Sequence, residues 1–446
     1  MSEETKKDPE TWEDISYPEQ CYYFGFAKYY GLEVEKDTAL GLKLLEEAAL
    51  FQIPDAVSAL IYIYSNPDDE NADERTALKW RERYVDVCRH LYGHTDEKTL
   101  IALGNLACAY GNMGEYEKAC AIDEPLFELR KTLFPETHPD TLTVMGNLAL
   151  NYNKMGKKKL ACEMEEKLLD IRRTLPDCDE ESILYTMNNL SVSYGDLGEH
   201  RRAYEMIEKV YEGRRRLLGE EDPETLTSLG NLAVAAADLG ENERAAELMA
   251  ELVKIRTRLF GYDHPDTALA RNNLAYVLCD LGEYERSLAM HEELYELRVV
   301  RHGKRHRNTL ATMNNIATVY ERTGEYDEAL TRHTEVYHLR AELLGEEHPS
   351  TLLSRYHIAC CHMAKGSTEE ALAILEEVYP LRSEVSGEEN IRTLEVVIAL
   401  GECYLALGDK AKAKEHFARA YASRVHLYGE EHPDTLAVKA LLAKTE

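Results

Sequence analysis

Residues 99–140 read TLIALGNLACAYGNMGEYEKACAIDEPLFELRKTLFPETHPD, a unit of 42 residues that decides the fold. Apolar residues recur at helical spacing over 100–110 and again over 119–133. Gly114 lies between the two series and is suited to end the first helix in a left-handed conformation. Pro139 ends the second series, and Asp140 or Thr141 is expected to cap the next helix. The unit is therefore predicted to be a pair of antiparallel helices.

The unit repeats eight times without insertion or deletion. Glycine recurs with a step of 42 residues at Gly114, Gly156, Gly198, Gly240, Gly282, Gly324, Gly366 and Gly408. Arginine keeps the same step at Arg130, Arg172, Arg214, Arg256, Arg298, Arg340, Arg382 and Arg424. Helix pairs with a fixed period stack into a solenoid. The predicted fold class is all-α, a right-handed superhelix of about 21 helices, in which the arginine stabilises a helix end and pairs with the following loop.

The segment Asn-Leu-Ala-x-x-Tyr-x-x-x-Gly-x-Tyr-x-x-Ala over residues 105–119 resembles the tetratricopeptide repeat. That repeat usually has 34 residues, and the eight additional ones here lengthen the second helix and its connection. This length, with His-Pro-Asp-Thr turns at 264–267 and 432–435, is similar to the repeats of kinesin light chains. The resemblance implies a groove lined by first helices that binds a peptide.

Four segments are predicted along the chain. Residues 1–15 are expected to be disordered, and 99–434 form the eight units. Residues 16–98 resemble a Sel1-like repeat through Tyr30-Gly31-Leu32-Glu33-Val34-Glu35-Lys36-Asp37, followed by atypical helices. Residues 435–446 are predicted to cap the stack, because a terminal helix with one apolar side can cover the last pair.

Asparagines mark the predicted groove. Counting from Leu100 as position one, position six is Asn105, Asn147, Asn189, Asn231, Asn273 and Asn315, and position five adds Asn188, Asn272 and Asn314. An amide both donates and accepts, so a row of amides can bond the main chain of an extended peptide. Matching asparagines in kinesin light chains contact peptides, which the resemblance implies here as well. The alternative is that they bond neighbouring helices and set the stacking.

Acidic and aromatic residues complete the candidate site. Position thirteen is Asp196, Asp238 and Asp280, joined by Glu321 at position twelve of the next unit. Aligned carboxylates repel one another unless a cation joins them, so they predict Lys or Arg on a partner; a solvated acidic face is the alternative. Tyr185 and Tyr276 are the predicted anchors, since aromatic side chains often dominate interface energy.

Composition excludes several functions. Fifty-two basic against 82 acidic residues give a net charge of −30, which disfavours nucleic acid and anionic membrane as partners. No apolar run reaches the ~20 residues of a membrane helix. Ten irregularly spaced cysteines without a disulfide framework predict reduced thiols and a cytoplasmic protein. His357 and Cys361 lie one helical turn apart, but a second ligand pair is not evident in the sequence, so no metal site and no cofactor are expected.

These observations predict an interaction scaffold or adaptor that holds a peptide segment of a partner protein, and no enzyme. The phosphate-loop, nucleophile-elbow and zinc-protease motifs are absent from the sequence. The alternative is an intracellular peptide sensor that resembles the tetratricopeptide pheromone receptors, in which ligand binding tightens the superhelix. The sequence leaves the partner and the oligomeric state open.

Overall fold

The computed structural model describes residues 15–176, 178–430 and 432–446, and the regular elements within these ranges are all helices. The predicted disordered segment therefore lies, apart from Ile15, outside the described residues. The chain divides into two compact units, one that ends at Ser193 and one that comprises Tyr194–Glu446. None of the described helices is both long and apolar enough to cross a bilayer.

The helices follow one another as the repeat predicts. Up to the unit boundary they are α1 Tyr17–Tyr30, α2 Thr38–Leu50, α3 Pro54–Ser65, α4 Glu74–Tyr92, α5 Glu97–Asn112, α6 Tyr116–Leu133, α7 Pro139–Lys154, α8 Lys158–Thr174 and α9 Glu180–Asp196, which contains the boundary. Beyond it are α10 His200–Leu218, α11 Pro223–Asp238, α12 Asn242–Phe260, α13 Pro265–Asp280, α14 Tyr284–His302, α15 Arg307–Thr323, α16 Tyr326–Leu344, α17 Pro349–Ala364, α18 Thr368–Ser386, α19 Ile391–Ala406, α20 Lys410–Tyr428 and α21 Pro433–Ala443.

The first helix of each unit begins two or more residues earlier than expected. In α7, Pro139 is the first helical residue and the imidazole of His138 accepts from the backbone N–H of Asp140. The prediction that Asp140 or Thr141 caps this helix is wrong, because proline at the first position fixes the start and leaves the cap to the preceding residue. Thr141 is instead completely buried. The same histidine cap recurs at His264, His306, His348 and His432.

Glycine separates the two helices of a unit, as predicted. Gly114 has φ 79° in the turn between α5 and α6, a conformation that side chains with a Cβ avoid. Early in each second helix, a short buried side chain lets the partner helix approach closely. These residues are Ala119, Ala161, Ala203, Ala245, Ser287, Ala329, Ala371 and Ala413, all at most 3% exposed.

The recurring arginine joins each second helix to the first turn of the helix that follows. In six units its guanidinium donates to the backbone carbonyl ten residues ahead, at distances from 2.7 to 3.4 Å. Arg214 in addition pairs with the carboxylate of Glu224 in that turn at 3.0 Å, and Arg130 pairs with the carboxylate of Asp140 at 3.3 Å. Arg382 departs from the pattern and donates to the carbonyl of Pro349. The arginine thus joins its helix to the following turn as predicted, but the usual acceptor is a backbone carbonyl and not a carboxylate.

The ends of the chain differ from the central units. Helices α1 to α3 share a core that includes Leu45, Leu60 and Ile63, and partly buried Trp80 of α4 packs against it. Gly41 is required where α2 meets α1, because a Cβ there would lie 2.6 Å from the backbone nitrogen of Tyr29. At the other end, the predicted capping helix is present as α21, which buries Val438 against Val397 and Ala420.

The arginine contact yields a stability prediction. Arg214 is 1% exposed and bonds both the carbonyl of Glu224 and the hydroxyl of Ser228. Arg214→Met removes the guanidinium that donates to both groups and is expected to lower the free energy of unfolding by about 2 kcal/mol, measured by urea denaturation. Arg201→Met, on the exposed face of the same helix, is the control and is expected to change it by less than ~0.5 kcal/mol. Equal effects would contradict the proposed link.

A buried carboxyl yields a pH prediction. Asp123 is fully buried, and burial raises its pKa to about 7, although a 3.3 Å hydrogen bond from Asn151 lowers it in part. Because the unfolded chain releases this proton near pH 4, stability contributed by the neutral carboxyl is present below pH 4 and is lost as the pH rises to 7. Asp123→Asn should therefore raise the melting temperature at pH 8 by at least ~2 °C and leave it nearly unchanged at pH 4. Asp170→Asn, an exposed control, should show no such pH dependence.

Candidate peptide-binding groove

The first helices carry a row of exposed apolar side chains at the predicted groove positions. In the first unit these are Ile101, Leu150, Tyr185 and Val192, and in the second unit Val234, Leu269 and Tyr276, each between 43% and 54% exposed. Exposed apolar side chains thus recur at the positions that the sequence assigns to the groove.

At α5 this face borders a cleft. A cavity of about 570 Å³ lies among α3, α4 and α5 and is lined by Ile101, Asn105 and Asn112 of α5, with Ser58 and Arg81 opposite. Asn105, at position six, therefore lies on the wall of a cleft. The cleft is open and mixes polar with apolar groups, which suits a peptide better than a small apolar ligand.

The predicted asparagines differ in accessibility. Asn105 is exposed, and Asn147, Asn188, Asn189, Asn231, Asn272, Asn273 and Asn315 are half-buried. Asn314 is only 8% exposed and its side-chain oxygen has no hydrogen-bond donor, so this amide lies in the packing between helices and not in the groove. The inclusion of Asn314 among the peptide contacts is corrected accordingly.

Their hydrogen bonds separate two roles. Asn315 donates to the side-chain oxygen of Asn272 at 2.9 Å, which joins the first helices of neighbouring repeats. Asn188 donates to Asn189 at 3.5 Å within one helix. Asn105, Asn147 and Asn273 make no hydrogen bond through their amides to the described part of the chain. The architectural alternative thus fits Asn272 and Asn315, while the amides of Asn105, Asn147 and Asn273 remain available to a ligand.

The acidic row is partly neutralised by the chain itself. Arg322 of α15 lies 3.4 Å from the carboxylate of Asp280. Burial raises the pKa of Asp238, His200 lowers it, and the charge of Asp196 raises it again. These basic neighbours were not anticipated, because they come from different helices than the aspartates. The remaining negative potential at Asp196 and Asp238 can still attract a cationic side chain.

Tyr185 and Tyr276 project from the first helices as predicted, 53% and 54% exposed. Burial and the nearby Asp280 raise the pKa of the Tyr276 hydroxyl, whereas Arg322 and Arg392 lower it. Arg392 belongs to α19, three repeats after α13, so its charge reaches Tyr276 from another part of the second unit.

Glu321 does not extend the acidic row. Its Oε1 lies 3.2 Å from Nε2 of His333 and its Oε2 lies 3.6 Å from Nδ1 of His357. Burial raises the pKa of Glu321, but the contacts with the two histidines outweigh it and lower the pKa to about 2. The replacement of asparagine by His357 at position six was the one sign of this cluster in the sequence. The contact of His333 with Glu321 was not predicted, because His333 lies on a second helix.

Comparison with protein families matches the description tetratricopeptide repeat at residues 109–174, 182–258, 236–298, 266–342, 308–384 and 350–424. These matches cover well over half of the chain. The chain belongs to the tetratricopeptide repeat family. The Sel1-like resemblance of residues 16–98 lies outside these matches and stays a prediction. Comparison with curated proteins finds no match.

Three solved structures are similar to this tetratricopeptide protein, and the first of them supports its fold. The apo form of the quorum sensor NprR from B. thuringiensis is 16% identical with a TM-score of 0.52, over 85% of this chain and 99% of that one. A kinesin light chain-type protein of nearly identical TPR-like repeats from Podosopora anserina is 26% identical with a TM-score of 0.40, over 46% and 97%. BtubC (BKLC) from P. vanneervenii is 22% identical with a TM-score of 0.43, over 52% and 94%.

The two roles of the asparagines can be separated by stability. Asn315→Ala removes the donor to Asn272 and is expected to lower the free energy of unfolding by about 1 kcal/mol, measured by urea denaturation. Asn273→Ala removes an amide without such a partner and is expected to change it by less than ~0.3 kcal/mol. A comparable loss in both variants would show that the whole row is architectural.

Proposed function

We propose that this tetratricopeptide protein is an interaction scaffold that binds an extended segment of a partner protein along its first helices. One observation carries the proposal. Exposed apolar side chains and amides without internal partners recur together on the first helices, at Ile101 with Asn105 and at Leu269 and Tyr276 with Asn273. Apolar pockets with amide donors and acceptors between them match alternating side chains and main chain of a peptide.

The second unit offers the most complete set of contacts. The amides of Asn231 and Asn273 lie one repeat apart and would bond the peptide main chain. Tyr276 would pack against a side chain of the partner, since its exposed ring provides area at low entropic cost. Asp238 and Asp196 would favour a lysine or arginine on the same segment.

A non-catalytic role in the cytoplasm accompanies this proposal. The family is one of binding repeats, and the described cysteines form no disulfide, with seven of the ten buried. Buried cysteines without disulfides suit a reducing compartment. The net charge of −30 opposes binding to nucleic acid and anionic lipid and leaves protein segments as the suitable partner class.

The second candidate is an intracellular peptide sensor. One contact within the second unit favours it: a Cβ built on Gly198 would lie 2.2 Å from Nε2 of His432, so the first and last loops of that unit touch. A ligand that changes the spacing of the first helices would open or tighten this contact and transmit its presence to the surface.

The proposal is tested with a peptide selected from a random phage-displayed library on the purified full chain. Fluorescence anisotropy is expected to show that Asn231→Ala combined with Asn273→Ala weakens binding of that peptide at least tenfold, because two main-chain contacts are lost. Asn273→Ala alone is expected to weaken binding as well while the melting temperature stays within ~2 °C. Tyr276→Ala is expected to weaken it by a similar factor.

The matched control combines Lys254→Ala with Glu296→Ala, exposed changes on second helices. It is expected to leave the affinity unchanged. Peptides that bind equally well to the groove variants would overturn the proposed site. Small-angle scattering of the same complex distinguishes the candidates, since a contraction on peptide binding favours the sensor and an unchanged profile favours the scaffold.

A further inference from the structure

Three consecutive helices of the second unit bring four ligand-type side chains together. Glu321 comes from the end of α15, His333 from α16, and His357 and Cys361 from α17. One atom each of Glu321, His333 and Cys361 lies within 4.8 Å of the other two. No peptide contact proposed above uses these residues, and the family match does not explain them.

The distances agree with those between ligands of one metal ion. Oε1 of Glu321 is 3.2 Å from Nε2 of His333 and 3.3 Å from Sγ of Cys361. Ligands of a tetrahedral Zn²⁺ with bonds of ~2.0–2.3 Å are separated by about 3.3–3.7 Å. Only small side-chain rotations are therefore required for the three atoms to converge on one ion.

The donors are buried and not fully used by the protein. His333 is completely buried, and within the described chain neither of its ring nitrogens has a partner with hydrogen-bond geometry. Cys361 is 1% exposed. A buried imidazole without a well-directed hydrogen bond is costly, so its retention beside a thiol and a carboxylate indicates another partner for these groups.

The equivalent residues of an earlier repeat also lie close together. The residues 210 positions earlier are Gly111, Asp123 and Asn151, which occupy the places of Glu321, His333 and Cys361 in the first unit. There Asn151 donates to Asp123 at 3.3 Å, and a Cβ on Gly111 would lie 2.9 Å from Oδ1 of Asn151. The convergence is thus a property of the fold, and only the α15–α17 interface places carboxylate, imidazole and thiol at these three positions.

We propose that Glu321, His333 and Cys361 form a binding site for a divalent transition metal ion, with Zn²⁺ as the expected occupant. A thiolate, an imidazole and a carboxylate are the ligand types of Zn²⁺, and their two negative charges balance the ion in a buried site. Binding forms a Zn–S bond as the Cys361 thiol releases its proton to solvent. Water completes the tetrahedron.

His357 is a positioning residue in this site. Its Nδ1 faces the second carboxylate oxygen of Glu321, and its ring stacks on that of His333 with 4.8 Å between centroids and 6° between planes. Both contacts orient ligands from outside the coordination sphere. Glu321 and His357 are also the most accessible members of the cluster, at 18% and 20% side-chain exposure, and provide the route of entry.

The test uses the full chain stripped of metal with a chelator and titrated with Zn²⁺ or Co²⁺ alone. Calorimetry is expected to show one tight Zn²⁺ site per chain and a rise in melting temperature, and Co²⁺ is expected to give a thiolate-to-metal charge-transfer band. Cys361→Ser should abolish that band and weaken Zn²⁺ binding at least ~100-fold, and His333→Gln should weaken it by a similar factor. His357→Gln should weaken it on the order of 10-fold while the band remains.

Cys360→Ser and His338→Gln are the matched controls, a neighbouring thiol on α17 and an exposed histidine on α16, and should leave both signals unchanged. If His333→Gln does not fold, Glu321→Gln at the more accessible ligand takes its place. Absence of a tight site, a Co²⁺ complex without a thiolate band, or binding that survives Cys361→Ser would overturn the proposal. A cluster held by hydrogen bonds alone would give the first of these results.

Discussion

The bond from the recurring arginine to the next first helix is the contact on which this solenoid depends. Each helix pair by itself exposes an apolar side, and stacking requires that the following pair begin at a defined place. The arginine fixes this place, because it reaches from the last turns of one helix to a carbonyl in the first turn of the next. The planar guanidinium donates in several directions, so it can bond this carbonyl and a hydroxyl further along the same helix, as at Arg340.

Regular stacking turns sequence positions into rows on the surface. Residues that recur every 42 positions on the first helices occupy equivalent places in neighbouring repeats of a unit. Exposed apolar residues such as Val234 and Tyr276 therefore recur on the same face of successive first helices. The same regularity brings asparagines of neighbouring repeats within bonding distance, as at Asn272 and Asn315. A row of amides is therefore divided between the stability of the stack and contact with a ligand, and each member has to be assigned from its own hydrogen bonds.

The repeat also concentrates polar groups at one internal position. Asp123, Glu165, His291 and His333 occupy the same place in different second helices and are all nearly or fully buried. Polar groups are tolerated there because a residue of the following first helix can supply a partner, as Asn151 does for Asp123. One interface can thus become specialised while the surrounding repeats keep the same backbone, which is how the cluster around Glu321 arises within an otherwise ordinary stack.

The period of 42 residues determined the family, the helix pairs, the glycine turns and the place of the arginine, because these depend on the local spacing of apolar and special residues. It also indicated that Tyr185 and Tyr276 lie on the exposed side of their helices, while their role as anchors stays a prediction. The cap at His138 was missed, since proline shifts the start of the helix by a local effect that outweighs the usual preference for aspartate or threonine. The burial of Asn314, the pairing of Asp280 with Arg322 and the grouping of Glu321 with His333 and Cys361 were decided only by the tertiary structure. Spacing along one helix selects the face on which a side chain lies, but its contacts come from helices 12 to 43 residues away, and only packing brings those residues to it.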